Sequence, residues 1–259
     1  MKHIDCKKYA QELLDDVKAV RYKKKLIIFT AGNDPASASY VKGKIKDCEY
    51  CGVPYEHIKV ETPDELATLI QRKCMAASTG GIIVQLPLPE GWNEEYFTSL
   101  VPPSLDVDGF VHDSRFKPCT PEGIIYLLKK ELGELSGKTA LVIGRGKLVG
   151  EPVAKMLLDE DCTVTVAHSK TRSLDDLLSE YHDIVITAVG RPFLVDLLNT
   201  NARIVIDAGI AKDGNGKLRG DCFFFSEDVA PNMKVTPVPG GVGLMTRAIL
   251  MAHMGENCR

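Results

Sequence analysis

The stretch ALVIGRGKLVGEP, residues 140–152, decides the fold. Ala140–Ile143 is apolar and reads as a short buried strand, and Gly144-Arg145-Gly146 reads as a tight turn. From Lys147 onward Val149, Val153, Met156 and Leu157 share one face, which predicts a helix. A strand that turns through glycines into a helix aims free backbone N–H groups and a positive helix end at one point, which suits a phosphate. Two glycines let the backbone approach that phosphate, and Gly150 lets the helix pack closely on its strand. The spacing is G-x-G-x-x-x-G, one residue longer than the most frequent dinucleotide fingerprint. On these residues alone a plain strand–helix turn without a ligand stays open.

The same alternation extends on both sides. Thr163–His168, Asp183–Ala188 and Arg203–Asp207 read as strands after Thr139–Ile143, with helices between the first three. Asp213-Gly214-Asn215-Gly216 is a turn, and Gly243 to Gly255 reads as one amphipathic helix. Upstream, Leu26–Thr30, Ile58–Val60 and Gly81–Gln85 read as strands, the last ended by Pro87 and Pro89. Helices separate them. One opens with Asp34 as N-cap and Pro35 as first residue and stops at Gly52; the other runs from Pro63 to about Ser78. A short helix follows Trp92, Pro102-Pro103 breaks the pattern, and 106–119 looks irregular before a helix from Thr120 to Leu132. Strands separated by helices predict an α/β fold with parallel sheets and right-handed crossovers. At roughly 150 residues per domain, 259 residues allow one large or two ordinary domains. The break falls near residues 115–121, and the last helix has the option of crossing back to the first domain.

Composition narrows the function. Apolar content of 44% and charged content of 26% are ordinary for a globular protein, and a formal charge of -3 gives neither a nucleic-acid footprint nor a polybasic membrane patch. The opening MKHIDCKKYAQELLDD lacks the apolar core of a signal peptide, and no apolar run is long enough to span a bilayer, so a cytoplasmic location is expected. Eight cysteines are scattered along the chain. Cys48-x-x-Cys51 is the one close pair, and with no second pair or histidine cluster beside it neither a metal nor a redox role is expected.

Several residues carry chemistry. At the end of the second strand of a dinucleotide fold an acidic residue selects NAD. Here that strand ends Ala167-His168-Ser169-Lys170, with no carboxylate before Asp175, while Arg145 stands in the glycine turn. Cations and a hydroxyl without an acid favour NADP over NAD, unless Lys170 and Arg172 are simply solvated. In the helix 35–51, Ala38, Val41, Ile45 and Cys48 form the expected core stripe, and Lys42, Lys46 and Glu49 face water. Tyr40 and Lys44, four apart, stand one above the other on the flank of that stripe. A lysine there either snorkels to water or lines a cleft beside a phenol, where it is suited to exchanging protons; spacing alone favours snorkelling. Gln85 closes an otherwise apolar strand, either as a satisfied buried amide or as a group holding a ligand. Asp106-Val107-Asp108-Gly109 is a turn with two carboxylates, open to local capping or to a ligand. Thr236-Pro237-Val238-Pro239-Gly240-Gly241-Val242-Gly243 is rigid, then permissive, and leads into the last helix.

Eight blocks together resemble the bifunctional methylenetetrahydrofolate dehydrogenase/cyclohydrolases. They are DPASASYVKGKIKDCEYCGV (34–53), GIIVQLPLP (81–89), DVDGF (106–110), PCTPEGI (118–124), VIGRGKLVGEP (142–152), HSKT (168–171), VIDAGI (205–210) and TPVPGGVG with a following MT (236–246). The resemblance implies two α/β domains with a cleft between them. A folate-binding, catalytic domain would take 1–117, completed by the helix 243–259, and a Rossmann-type NADP-binding domain 118–242. It implies NADP-dependent oxidation of 5,10-methylenetetrahydrofolate and hydrolysis of the methenyl product to 10-formyltetrahydrofolate, in a cytoplasmic homodimer serving one-carbon metabolism and purine biosynthesis. By the same likeness Tyr40 stacks on the folate, Lys44 is the catalytic lysine, Gln85 tunes it and Asp108 holds the pterin. Val84, Leu86, Pro239, Gly240, Gly241, Val242 and Gly243 border the folate, and Gly144, Arg145, Gly146, Ser169 and Ile210 line the NADP site; no metal is implied. The chain departs from the family at Gly146, where serine is frequent, at Leu244 for proline and at Ala211 for asparagine, and Arg72–Gly80 lacks a leucine-asparagine signature. A dehydrogenase-only member and a catalytically silent nucleotide sensor are the alternatives; Lys44 argues against the first, and Tyr40, Lys44, Gln85 and Asp108 together argue against the second.

Overall fold

The alternating apolar runs sort into two parallel sheets in a computed structural model that describes residues 1–224 and 232–258. In chain order the first elements are β1 (Lys2–His3), α1 (Cys6–Lys18), β2 (Lys25–Ala31), α2 (Pro35–Cys51), β3 (Tyr55–Val60), α3 (Pro63–Cys74), β4 (Thr79–Val84) and α4 (Glu94–Ser99). There follow α5 (Cys119–Leu132), β5 (Thr139–Ile143), α6 (Gly150–Asp159), β6 (Thr163–Ala167), α7 (Leu174–Ser179), β7 (His182–Thr187), β8 (Val195–Asp196) and β9 (Ala202–Asp207). The short strands β10 (Ala211–Lys212), β11 (Leu218–Arg219), β12 (Cys222–Phe223) and β13 (Lys234–Val235) precede the last helix, α8 (Val242–Asn257). The chain forms two compact units, one of Gln11–Cys119 with Arg247–Arg259, the other of Met1–Ala10 with Thr120–Thr246.

The first unit is built on a parallel sheet in the order β3-β2-β4. Its central strand β2 carries Leu26, Ile27, Ile28 and Phe29 with no exposure on either face, as expected of a strand covered on both sides. Ile27, Phe29, Val60, Leu66, Ile70, Ile82 and Val84 form one core cluster. α2 begins as its sequence predicts: Asp34 accepts a hydrogen bond from the Ser37 N–H, and Pro35 occupies the first turn. It ends at Gly52, which adopts φ 72 and donates its N–H to the Cys48 and Glu49 carbonyls. α3 stops at Cys74 rather than near Ser78, because Ala76 and Thr79 turn back onto the Lys73 and Ala76 carbonyls. The residues so released let β4 start at Thr79, two residues earlier than the apolar run indicates.

The second unit is a six-stranded sheet in the order β1-β13-β9-β7-β5-β6, parallel throughout. Leu141, Ile143, Val185, Val205, Met233 and Val235 fill one side of it. The reversal of order around β5 is the doubly wound arrangement in which ligands gather beyond the carboxyl ends of strands. α6 starts at Gly150, not at Lys147: the Gly146 carbonyl accepts from both Val149 and Glu151 N–H, closing a turn ahead of the helix. The first ten residues join this unit through β1, which pairs Lys2 with Lys234 and His3 with Val235. An N-terminal domain beginning at residue 1 therefore differs from the observed division. α1 is absent from the sequence reading although its pattern is present. Asp5 accepts from the Lys8 N–H at its start, and Cys6, Ala10, Leu14 and Val17 are buried at helical spacing.

Candidate active site

α2 decides the chemistry of the first unit, and its buried face is rotated from the expected one. Val41, Lys44, Cys48 and Cys51 point inward with Asp47, whereas Ala38 is exposed and Ile45 half-buried. Lys44 is thus no snorkelling flank residue. Only 4% of it is exposed, and its ammonium lies 3.8 Å from Asp108 Oδ2. Tyr40, one turn earlier, is half-buried. The Cys48-x-x-Cys51 pair is packed into the same interior: burial pushes the Cys48 thiol up to about 12 and the Cys51 thiol up to about 11. Both therefore stay protonated and act as small apolar groups with weak donors, Cys51 toward the Leu14 carbonyl.

The two carboxylates of the 106–109 turn have separate tasks. Asp106 builds the turn. Its Oδ1 accepts from the Gly109 N–H at 3.0 Å and its Oδ2 from the Val111 N–H at 2.8 Å, while Ser114 Oγ donates to its carbonyl. Burial pushes the Asp106 carboxyl up, against the pull of these donors. Gly109 adopts φ 79, and a Cβ there would overlap the Lys117 carbonyl. With the turn closed in this way Asp108 is left facing Lys44. The segment is fastened further by α8, where His253 Nδ1 lies 2.9 Å from the Val107 carbonyl and its ring stacks on Phe116.

Gln85 follows the last residue of β4 at the carboxyl end of the sheet, its N–H bonded to the Phe29 carbonyl. Its side-chain nitrogen donates to the Leu86 carbonyl at 2.7 Å, and its buried Oε1 accepts from no group among the described residues. An acceptor buried without a donor costs about 1–3 kcal/mol, so Gln85 is suited to a ligand that brings an N–H. Val84 is buried, and Leu86 is half-buried against the core. The structure thus brings Lys44 and Asp108 together and sets Gln85 at a strand end with an unused acceptor.

In the second unit, Gly144 adopts φ 111 and a Cβ on it would lie 2.5 Å from the Ala188 carbonyl oxygen. A Cβ on Gly150 would overlap the Gly144 carbonyl, so the turn and the helix start are in contact through their backbones. Among the described residues nothing lies within 4 Å of the corresponding position at Gly146, and no side chain caps the start of α6. In the first turn the Glu151 N–H is already bonded to the Gly146 carbonyl and Pro152 has none, so the Gly150 N–H beside the open glycine is the helical donor left to meet an anionic group. Arg145 and Ser169 are exposed, and His168–Thr171 is a turn tied by the Thr171 N–H to the His168 carbonyl. Ile210 is half exposed beyond β9. The 236–243 segment runs through a cis Val238-Pro239 bond to Gly240 at φ 96; Pro239 and Gly240 are exposed, Gly241 and Val242 buried, and Gly243 half-buried.

Two family models match the sequence, with their boundary close to the junction at residues 119–120. Residues 4–108 match the tetrahydrofolate dehydrogenase/cyclohydrolase catalytic domain, and residues 118–259 match the tetrahydrofolate dehydrogenase/cyclohydrolase NAD(P)-binding domain. The chain belongs to the tetrahydrofolate dehydrogenase/cyclohydrolase family. It is 40% identical to the bifunctional protein FolD of Agathobacter rectalis, over 98% of this chain and 97% of that protein. The FolD crystal structure from Campylobacter jejuni superposes with a TM-score of 0.91 at 34% identity, covering 100% and 98% of the two chains. The Trypanosoma brucei FolD structure, a complex with NADP cofactor and inhibitor, gives 0.86 at 29% identity, covering 97% and 95%.

One part of this dehydrogenase/cyclohydrolase escaped the sequence reading. Asp207 and Asp221 are buried, and each organises a loop at the carboxyl end of the large sheet. Asp207 accepts from Thr187 Oγ1 and from the N–H groups of Gly209, Asp221 and Cys222; Asp221 accepts from the N–H groups of Val189 and Arg191. Gly209 leaves room for the Asp221 carboxylate and Gly220 for that of Asp207, since a Cβ on either would overlap it. Burial pushes the Asp207 carboxyl up, and its donors oppose that shift. The signal in the sequence is an acid beside a glycine in D-A-G and R-G-D, at a strand end and in a loop respectively. Among the described residues no cluster of three metal-ligating side chains occurs.

Proposed function

We propose that the chain oxidises 5,10-methylenetetrahydrofolate with NADP and hydrolyses the methenyl product to 10-formyltetrahydrofolate, with Lys44 as the proton-transfer group of the second step. The observation that carries the assignment is the buried Lys44–Asp108 pair: its 3.8 Å separation exceeds a hydrogen bond and leaves the ammonium free to serve a substrate. NADP, when bound, supplies the hydride acceptor. The carbon losing hydride is flanked by two nitrogens whose lone pairs stabilise the resulting cation, so this step asks the protein chiefly for positioning. We assign that positioning to Tyr40 against the folate ring, to Asp108 and Gln85 toward its polar edge, and to Val84, Leu86 and Pro239–Gly243 along its border.

Water then adds to the cationic carbon. In its neutral form Lys44 takes a proton from the attacking water, and as ammonium it returns one to the departing ring nitrogen as the carbon–nitrogen bond breaks. The formyl group stays on the other nitrogen, and one proton is released overall. Gly144, Arg145, Gly146, Ser169 and Ile210 are assigned to NADP. The open backbone at Gly146 and the Gly150 N–H at the start of α6 fit a phosphate, and the absence of a carboxylate from His168 to Leu174 favours NADP over NAD. We assign folate to 11–117 with the helix 243–259, and NADP to 118–242, whose sheet the opening strand joins. The family likeness supports a cytoplasmic homodimer whose product feeds one-carbon transfer, including purine biosynthesis.

The test is spectrophotometric. Purified protein with methylenetetrahydrofolate and NADP is expected to produce methenyl absorbance, and methenyltetrahydrofolate alone is expected to be hydrolysed above background. No signal with either NADP or NAD would sink the dehydrogenase reading, and a higher kcat/KM with NAD would overturn the cofactor choice.

A further inference from the structure

The buried face of α2 carries two opposite charges, Lys44 and Asp47, three residues apart, the spacing at which side chains on a helix meet. Yet their ion pairs lie elsewhere. Lys44 faces Asp108, and Asp47 Oδ2 lies 3.2 Å from Nε of Arg247 on α8. Arg247 reaches Asp47 through space left by Gly43: a Cβ on that glycine would overlap the guanidinium and lie 2.8 Å from its central carbon. The pair is largely desolvated, with side-chain exposures of 13% for Asp47 and 21% for Arg247. Burial pushes the Asp47 carboxyl up and Arg247 draws it back toward the ionised form.

We propose that Arg247 is a positioning residue for Lys44: by holding Asp47 it leaves the lysine a single carboxylate partner, beyond hydrogen-bond distance, and so able to give up its proton during hydrolysis. This rests on the reading of Lys44 given above. A second carboxylate against the ammonium would fix it in the charged form. On its own helix Lys44 has Tyr40, Asp47 and Cys48 at neighbouring helical positions; Asp108 of the 106–119 segment faces it, and Arg247 of α8 stands behind Asp47. His253, also on α8, is engaged with the Val107 carbonyl, and β4 ends in the uncharged Gln85. Of these, Asp47 is the group whose charge is free to turn toward Lys44 once its partner is removed.

The experiment is the pH profile of kcat for methenyltetrahydrofolate hydrolysis in full-length variants, with background subtracted. In Arg247→Met the acid limb is expected to move to higher pH by about one unit, and the rate near neutrality to fall about tenfold, as for a carboxylate newly facing a lysine. KM is expected to change far less than kcat. The double variant Arg247→Met/Asp47→Asn is expected to return the limb to its wild-type place, which a purely structural role of the pair would not do. Should Arg247→Met fail to fold, Arg247→Gln keeps a hydrogen bond to Asp47 without the charge and carries the same expectation. An unmoved limb in the single variant, or no return in the double, overturns the proposal. Lys44→Met separates the two readings: if it hydrolyses normally, the role of Lys44 falls and this proposal with it. If it is inactive while Arg247→Met keeps the wild-type limb, only the role of Arg247 falls.

Discussion

The two sites proposed for this chain are made of different material. The NADP cradle is backbone, closed where Gly144 and Gly150 bring main chain against main chain and open at Gly146, and residues 145–148 are exposed. The folate and proton-transfer site is made of side chains buried against their preference, an ammonium at 4% exposure facing a carboxylate at 7%. A backbone site fails when an atom is added, and a side-chain site fails when one is removed. The contrast is open to direct attack.

The largest effect is expected from Lys44→Met. Its loss removes the one strong proton acceptor of the site, and hydrolysis of methenyltetrahydrofolate should fall by about 100-fold or more, while hydride transfer to NADP falls less. Stopped-flow absorbance of each half-reaction measures both, and equal losses in the two would show that Lys44 serves positioning alone. Next in size is Gly150→Ala. The added methyl meets the Gly144 carbonyl, backbone against backbone, with a stability loss of about 1–3 kcal/mol. KM for NADP is expected to rise about tenfold, with hydrolysis of methenyltetrahydrofolate unchanged because that step needs no nucleotide. If the two activities decline in parallel, the division between backbone site and side-chain site is not functional. The smallest effect belongs to Gly146→Ser, where the new side chain enters open space at a φ outside the left-handed region. Stability should stay within about 0.5 kcal/mol, and one added phosphate hydrogen bond should raise the NADP-to-NAD ratio of kcat/KM about fivefold. An unchanged ratio would place the 2′-phosphate away from residue 146.

The backbone site was largely legible because its grammar is local. A strand, glycines at fixed offsets and a helix suffice to place the turn, and only the start of α6 slipped, since a turn closing on the Gly146 carbonyl leaves no mark on apolar spacing. The side-chain site was legible in its residues but not in its geometry. The apolar stripe Ala38, Val41, Ile45, Cys48 is a reasonable reading of α2, yet the helix is short of large apolar groups, and its neighbours determine which face is covered. Those neighbours bury Lys44 and Asp47 and expose Ala38. The two acids of DVDGF look alike in one dimension. They are separated only by the N–H groups of Gly109 and Val111, which claim Asp106 and leave Asp108 to the lysine. Asp207 and Asp221 were missed for the same reason, since their partners come from loops distant in sequence. β13 has two residues and no periodicity to read, whereas α1 carries a legible stripe in Cys6, Ala10, Leu14 and Val17.

The pairing of Lys2 with Lys234 has a consequence for how the molecule is made. β1 is synthesised before every other element of the two units, but its sheet neighbour β13 is followed by α8 alone, and residues 247–259 in turn complete the unit begun at Gln11. The two units are therefore interleaved in synthesis order, each waiting on a segment that follows the bulk of the other. A nascent chain released at residue 119 would contain neither of them whole, and gene fragments cut at that boundary would inherit the same incompleteness.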